Sequence, residues 1–196
     1  MKFNTTNSFE LPPEGLVVAR CCRIVDLGTQ TGHYLGKTTV QRKIMVGFEL
    51  LGSVARADGK KFQINKIYTA SLHPKATLRK DLDSWNGRAL SNEEVSGFSF
   101  AWMAGRLCEV RVTHSDTSGE NKATIDQVRP SCASRISVET DTPVEVFDLD
   151  APSKEVFFSL SGGIRRMVEL SPEWRASPLC NQPAANDINL IRSAQI

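Results

Sequence analysis

The first two thirds of the chain alternate between apolar and polar residues with the period of two that is typical of β-strands. The alternation and the enrichment in β-branched residues predict five strands, over residues 15–27, 40–51, 61–69, 105–114 and 123–129. Three glycines, Gly28, Gly32 and Gly36, predict that the first two strands are joined by a long hairpin loop. Asp58-Gly59 predicts a turn before the third strand, and a polar loop over residues 115–122 joins the last two.

Between the third and fourth strands the apolar period changes to that of a helix. The predicted helical stripe consists of Leu78, Leu82 and Trp85. Ser71 is the predicted N-cap of this helix, and Gly87 is the predicted stop signal. Ser91 and Glu94 have the spacing of a capping box, which predicts a second, short helix.

The last third of the chain has a second helical pattern. Its predicted apolar face consists of Val156, Phe157 and Leu160. Asp150 is the predicted cap, Gly162-Gly163 interrupts the pattern, and Ser171-Pro172 begins a further turn. This pattern predicts a short helical segment at the C-terminal end of the fold.

The order of three strands, a helix and two strands is that of an OB barrel, in which a helix lies between strands three and four. The sequence therefore predicts a mainly β protein: a five-stranded OB-like barrel with a helical insert, plus a short C-terminal helical appendage. The predicted divisions are a polar arm (1–14), the barrel domain (15–130), a linker (131–145), an acidic amphipathic helical segment (146–175) and a weakly ordered tail (176–196).

Charge is unevenly distributed along the chain, although the formal net charge is only +2. Residues 1–138 contain 19 Lys and Arg against 13 Asp and Glu, whereas residues 139–196 contain 5 against 9. Within residues 20–88 the count is 13 against 5, so we expect these cations to converge into one positive trough that binds a polyanion. The alternative is an ordinary solvated surface with uneven charge.

The sequence contains no motif that favours an enzyme. It has no phosphate-binding loop, no HExxH, GxSxG or GxGxxG motif, and its three histidines lie far apart. The five cysteines form no CxxC pair, so neither a metal site nor a disulfide framework is expected. We therefore expect a binding protein without a cofactor, and the absence of a leader-like or membrane-spanning apolar run predicts a cytoplasmic location.

Binding of a single nucleic-acid strand needs cations for the phosphates and aromatic faces for the bases. In an OB barrel these groups come from strands two and three and from the 1–2 and 4–5 loops. The candidate nucleic-acid-binding residues are Tyr34, Lys37, Arg42, Lys43, Lys60, Lys61, Lys66, Tyr68, Arg111, His114 and Lys122. Tyr34 either stacks on a base or anchors its loop, and Tyr68 either stacks or belongs to the core.

The acids of the C-terminal segment suit a protein partner rather than DNA. The candidate partner-binding residues are Phe147, Asp148, Asp150 and Phe157. Either this segment docks on a replication or recombination protein, or it packs on its own barrel.

Three runs carry a family resemblance: ARCCRIVDLGTQTGHYLGKTTVQRK, YTASLHPKATLRKDLDSWNGR and VFDLDAP followed by SPEW. They resemble a family of tailed-phage early proteins that is similar to phage OB-fold single-stranded DNA-binding proteins. The resemblance implies sequence-independent binding of single-stranded DNA in phage replication or recombination, in the cytoplasm of the bacterial host. The chain departs from the family pattern at Cys22, where an aromatic residue is expected, and at Pro74, where an acid is expected.

Overall fold

The fold was analysed in a computed structural model, which describes residues 10–34, 36–52, 55–117, 120–131, 140 and 142–180. The strands are β1 (Gly15–Tyr34), β2 (Lys37–Leu50), β3 (Gln63–Thr69), β4 (Leu107–Thr117), β5 (Glu120–Arg129) and β6 (Glu145–Phe147). The helices are α1 (Thr77–Asn86), α2 (Asn92–Ser96), α3 (Lys154–Ser159), α4 (Gly162–Glu169) and α5 (Pro172–Ala176), with a 3-10 turn at Phe100–Met103. The mainly β prediction is confirmed.

The strands form one six-stranded sheet in the order β3-β2-β1-β4-β5, with antiparallel neighbours. The first residues of β1 pair with β4, from Gly15 with Val112 to Arg20 with Leu107. Beyond a register shift near Cys21, the same edge of β1 pairs in parallel with β6. The central strand β1 is therefore lined by three others, and β6 is an addition that the sequence did not predict.

The predicted loop over residues 28–36 is wrong, because β1 continues to Tyr34 and pairs there with Lys37 at the start of β2. Residues 31–34 and 36–41 form the end of a two-stranded ribbon, and most of the side chains described there are exposed. The predicted polar loop over residues 115–122 is likewise mostly strand, since β4 and β5 pair as far as Thr117 and Glu120. Threonine favours strands, and cross-strand pairing outweighs the glycine signals at both hairpins.

The main core lies between the sheet and the helical insert. The predicted helical stripe is confirmed, since Leu78, Leu82 and Trp85 are all buried on α1. The Trp85 ring packs against Phe48, with 5.9 Å between centroids, and its indole N–H donates to Leu107 O at 2.9 Å. The insert thereby ties α1 to β2 and to the start of β4.

Helix caps agree with the sequence at some termini and differ at others. The capping box of Ser91 and Glu94 is confirmed at α2. α1 does not begin at Ser71, because its N-cap is Ala76, which makes no side-chain cap bond. α3 is capped by Ser153 rather than by Asp150. α1 and α3 each start after a proline, Pro74 and Pro152 respectively. Proline disfavours helical backbone at the residue that precedes it.

A second core lies on the opposite face of β1 and β2 and is built by the C-terminal segment. Val25 and Met45, which are cross-strand partners, point into this cluster. Phe147, Phe157 and Trp174 cover them, and the rings of Phe157 and Trp174 stack at 4.1 Å between centroids. Residues 146–175 are therefore packed on the sheet.

The predicted linker over residues 131–145 ends earlier than expected, because its last residues are bonded to the sheet. Thr142 Oγ1 donates to Glu49 Oε1 at 2.7 Å, and Arg23 Nε donates to Glu145 Oε2 at 2.7 Å. Most of the remaining linker, residues 132–139 and 141, lies outside the described residues. The polar arm over residues 1–14 is described from Glu10 onward.

The C-terminal helices also brace the base of the β1–β2 ribbon. Glu173 on α5 accepts hydrogen bonds from Thr29 N at 2.9 Å and from Thr29 Oγ1 at 2.5 Å. Gln30 Nε2 donates to Met167 O on α4 at 2.9 Å. Gly28 lies so close to Ser171 that a Cβ atom at Gly28 would stand 2.5 Å from Ser171 Cβ.

Candidate nucleic-acid groove

A large groove lies between the β2–β3 connection and the β4–β5 hairpin. Both connections lie at the same end of the sheet, because Leu50 pairs with Ala19 and Val112 pairs with Gly15 near the start of β1. The groove has a volume of about 1030 Å³, and residues of the N-terminal arm complete its wall. An open cleft of this volume suits an extended ligand better than a small molecule, which binds in a pocket that encloses most of its surface.

Four cations line this groove: Arg56, Lys60, Lys61 and Lys122. Three of them, Lys60, Lys61 and Lys122, belong to the predicted nucleic-acid set, and the fold thus brings together residues more than sixty positions apart in the sequence. Three acids also line it: Glu10, Glu49 and Asp58. Asp58 lies 3.5 Å from Arg56 Nε, so part of the positive charge is offset within the groove.

Glu49 is held by a polar network at one wall of the groove. Its side chain is fully buried and accepts from Arg20 Nη2 at 2.9 Å and from Thr142 N at 3.1 Å. Burial alone would raise the pKa of Glu49, but the bonds from Thr142 and Arg20 leave that pKa below its ordinary value. Glu49 is therefore ionised and neutralised by Arg20 rather than a free negative charge facing a ligand.

The predicted single positive trough is wrong for residues 20–88 as a whole. More than half of the cations in this segment are ion-paired in the part of the chain that the structure describes. The pairs join Arg20 to Glu49, Arg23 to Glu145, Arg42 to Asp26 and Asp150, Arg56 to Asp58, Lys66 to Asp81, Arg79 to Asp83 and Arg88 to Glu94. Folding brings acids from distant parts of the chain between the cations, so the positive charge is divided.

Lys66 and Tyr68 lie outside the groove and share one partner. Asp81 on α1 accepts from Lys66 Nζ at 2.8 Å and from the Tyr68 hydroxyl at 2.9 Å. Tyr68 is only 4% exposed, and burial followed by the nearby Asp81 charge raises its pKa well above the ordinary value. Of the two interpretations of Tyr68, the core role holds, because no ring face is open to a base.

Two neighbouring cations in the middle of β2, Arg42 and Lys43, also bond to side chains of the protein itself. Arg42 lies between Asp26 and Asp150, and hydrogen bonds to Asp26 hold its pKa above the ordinary value. Lys43 Nζ donates to Gln41 Oε1 at 2.8 Å and to Thr69 Oγ1 at 2.9 Å. Neither side chain lines the groove.

The other predicted positions are dispersed. Lys37 is exposed at the tip of the β1–β2 ribbon, and the side chain of Tyr34 lies outside the described residues. Arg111 is exposed on β4, away from the groove lining. His114 instead anchors the N-terminal arm, since its Nε2 lies 2.8 Å from Pro12 O and its backbone N donates to Glu14 Oε1 at 2.6 Å.

The predicted partner-binding set is divided by the fold. Phe147 and Phe157 are 1% and 3% exposed, so the prediction that they contact a partner is wrong: they form the second core. Asp148 and Asp150 remain exposed beside that core. Of the two interpretations of this segment, packing on its own sheet holds.

The sequence analysis missed Arg56, Gln63 and Asn65, which all line the groove. Arg56 lies just before the predicted Asp58-Gly59 turn, and the predicted Lys60-Lys61 pair lies just after it, so a tight turn there already placed the three cations close together. Gln63 and Asn65 alternate with the buried Ile64 on β3, so their outward direction also follows from the strand period.

No family model and no curated protein matches the chain. Within the described residues, no group of His, Cys, Asp or Glu side chains is arranged to hold a metal ion. None of the described helices is both long enough and apolar enough to span a membrane. The fold and groove define a mainly β protein with a cation-lined groove at one end of its sheet.

Proposed function

We propose that this protein is a non-enzymatic, OB-type binding protein for single-stranded DNA, and that it acts in phage replication or recombination in the bacterial cytoplasm. The lysine-lined groove between the β2–β3 connection and the β4–β5 hairpin carries the proposal. The phage role rests on the sequence resemblance.

The strand order supports an OB-type barrel. In that fold β1 pairs with both β2 and β4, and closure of the barrel places β3 beside β5. The observed order β3-β2-β1-β4-β5 is the same ring of strands, opened between β3 and β5. Lys66 on β3 donates to Asp126 O on β5 at 3.4 Å, and α1 packs between these strands, so the two ends approach each other.

The groove supports binding through phosphates more than through stacked bases. Lys60 is exposed beside the turn, and Lys122 is exposed on β5 across the groove, so the two lysines can contact one strand from both sides. The aromatic residue among the described lining is Phe62, which is only 5% exposed. Phosphate contacts of this kind bind without reading the sequence and weaken with salt.

The end of the β1–β2 ribbon adds a surface without acidic residues. Residues 31–41 contain His33 and Lys37 and no acidic residue. A projecting hairpin with this composition does not repel a phosphate backbone, and strands of this kind flank the ligand in OB folds.

The test is a fluorescence-anisotropy titration of a labelled short oligothymidylate at about 50 and about 200 mM salt. Each phosphate contact on a single strand contributes roughly 0.7 to the slope of log affinity against log salt. Lys60→Glu with Lys122→Glu should therefore weaken binding and reduce the slope by about 1.4.

Lys75→Glu with Lys80→Glu is the matched control, because both lysines are exposed, lie outside the groove and change the net charge equally. This control pair should change affinity and slope much less than the groove pair. Equal losses of affinity in both pairs would mean that the overall charge, not the groove, governs binding. Unchanged affinity in a folded groove variant would mean that the groove is not the binding site.

A further inference from the structure

The structure contains a second cleft whose chemistry differs from that of the groove. It has a volume of about 470 Å³ and lies between β6 and the segment that joins α2 to the 3-10 turn. Ile24 and Ile44 form its floor, and both are core residues with at most 2% exposure. The cleft therefore opens directly onto the apolar interior of the sheet.

One wall of this cleft is aromatic. Phe98 and Phe100 both line it, are both only half-buried, and meet edge to face with 5.8 Å between ring centroids. Exposed aromatic faces of this kind stack well on planar groups, including the guanidinium of arginine.

The opposite wall carries acidic side chains. The lining of the cleft includes three carboxylates, those of Asp26, Asp148 and Asp150, and one cation, Arg42. Arg42 bonds both Asp26 and Asp150, and the Asp150 side chain remains 76% exposed. One guanidinium cannot neutralise three carboxylates, so the cleft repels a phosphate backbone and attracts a cation.

The strand β6 makes this wall suitable for an extended peptide. In the described sheet β6 pairs with β1 alone, so its other edge has no neighbouring strand there. Val146 at the centre of β6 is 36% exposed and lines the cleft. An added strand could form backbone bonds at this edge while its side chains enter the cleft.

The geometry points to this cleft as a docking site for an extended protein segment that carries arginine between apolar residues. Apolar side chains would cover Ile24, Ile44 and Val146. Arginine would stack on Phe100 and pair with Asp148 and Asp150, for which its planar fork is well suited. The site lies on surfaces other than the lysine groove, so a partner and a nucleic-acid strand could be bound together.

The test titrates a fluorescein-labelled peptide of alternating valine and arginine against the full chain. Asp148→Asn with Asp150→Asn should weaken binding about fivefold, because two partly exposed charge pairs are lost. Val146→Lys changes an exposed position of the cleft wall. It should weaken peptide binding further, because the new cation would repel the arginine side chains of the peptide. Glu93→Gln with Glu169→Gln, two exposed acids that line neither the cleft nor the groove, should change peptide affinity less than twofold, because neither carboxylate faces the peptide.

Equal weakening by the two acid pairs, or no saturable binding at about millimolar peptide, would overturn the proposal. A labelled oligothymidylate measured with the same variants separates this site from the groove. Its affinity should not distinguish the two acid pairs. If Asp148→Asn with Asp150→Asn tightened oligonucleotide binding more than the control pair did, the cleft would be a nucleic-acid site and the proposal would fail.

Discussion

Replacing Gly28 with alanine tests whether the C-terminal helices are packed against the base of the β1–β2 ribbon. Gly28 has a φ of 67°, and an added Cβ would lie 2.5 Å from Ser171 Cβ and 2.8 Å from Glu173 Oε2. Ser171 is completely buried, so it has little freedom to move away. Gly36, at the tip of the same ribbon, has a similar φ of 73° and no atom within 4 Å of the added Cβ, which makes it a matched control.

The two substitutions share one cost and differ in another. The left-handed backbone costs an alanine roughly 1–2 kcal/mol at either position, less the entropy that alanine removes from the unfolded chain. Only Gly28→Ala adds overpacking against α5, which typically costs about 1–3 kcal/mol. We therefore expect Gly36→Ala to cost about 1 kcal/mol and Gly28→Ala about 2–4 kcal/mol.

The measurement is urea unfolding followed by circular dichroism, with the free energy of unfolding compared at equal m-values. If Gly28→Ala unfolds the protein, adding Ser171→Gly, which removes the two atoms closest to the new Cβ but leaves Glu173 in place, should restore part of the stability. Equal losses at Gly28 and Gly36 would show that the helices do not press on the ribbon, and would refute the packing described here.

Three further predictions follow from the second core, the ribbon and the helical insert. Phe147→Ala should lower the free energy of unfolding by about 3–5 kcal/mol in the same urea assay, because a fully buried ring is removed; a loss below about 1 kcal/mol would mean that the C-terminal segment is not part of the fold. Ser91→Ala should cost about 1 kcal/mol through loss of the capping box, measured as a lower Tm, and an unchanged Tm would contradict the cap. Burial would raise the pKa of Glu173, but the hydrogen bonds from Thr29 lower this pKa overall. Ionised Glu173 therefore stabilises the fold at pH values above its unfolded pKa of about 4.3. This contribution is lost as the pH falls through the folded pKa. Glu173→Gln should therefore flatten the loss of stability between about pH 5 and pH 3, and an unchanged pH profile would count against the Thr29 contact.

Local patterns predicted the elements that depend on contacts between residues close together in the sequence. The stripe of Leu78, Leu82 and Trp85 identified α1, and the spacing of Ser91 and Glu94 identified the capping box. The ribbon over residues 28–36 was missed, because its stability comes from pairing with β2 and from the brace at Thr29, and neither is a local property.

The double-sided burial of β1 and β2 could have been read more fully from the sequence. Ile44, Met45 and Val46 are consecutive apolar residues, which indicates a strand that is covered on both faces. A period of two assumes one polar face, so this pattern hid the second core, and Phe147 and Phe157 were assigned to a partner instead.

Charge was the least predictable property of the candidate site. Arg23 pairs with Glu145, which is 122 positions away, and such pairs depend on the finished topology. Net charge over residues 20–88 therefore overstated the positive surface. Lys60 and Lys122 came together in the groove because β3 and β5 begin at the same end of the sheet.

The most direct test of the central claim is the salt dependence of oligothymidylate binding by the unaltered protein. If three or four groove cations contact phosphates, log affinity should fall against log salt with a slope of about −2 to −3. An affinity that does not change between about 50 and about 200 mM salt, or an absence of binding at the lower concentration, would contradict a single-strand-binding groove.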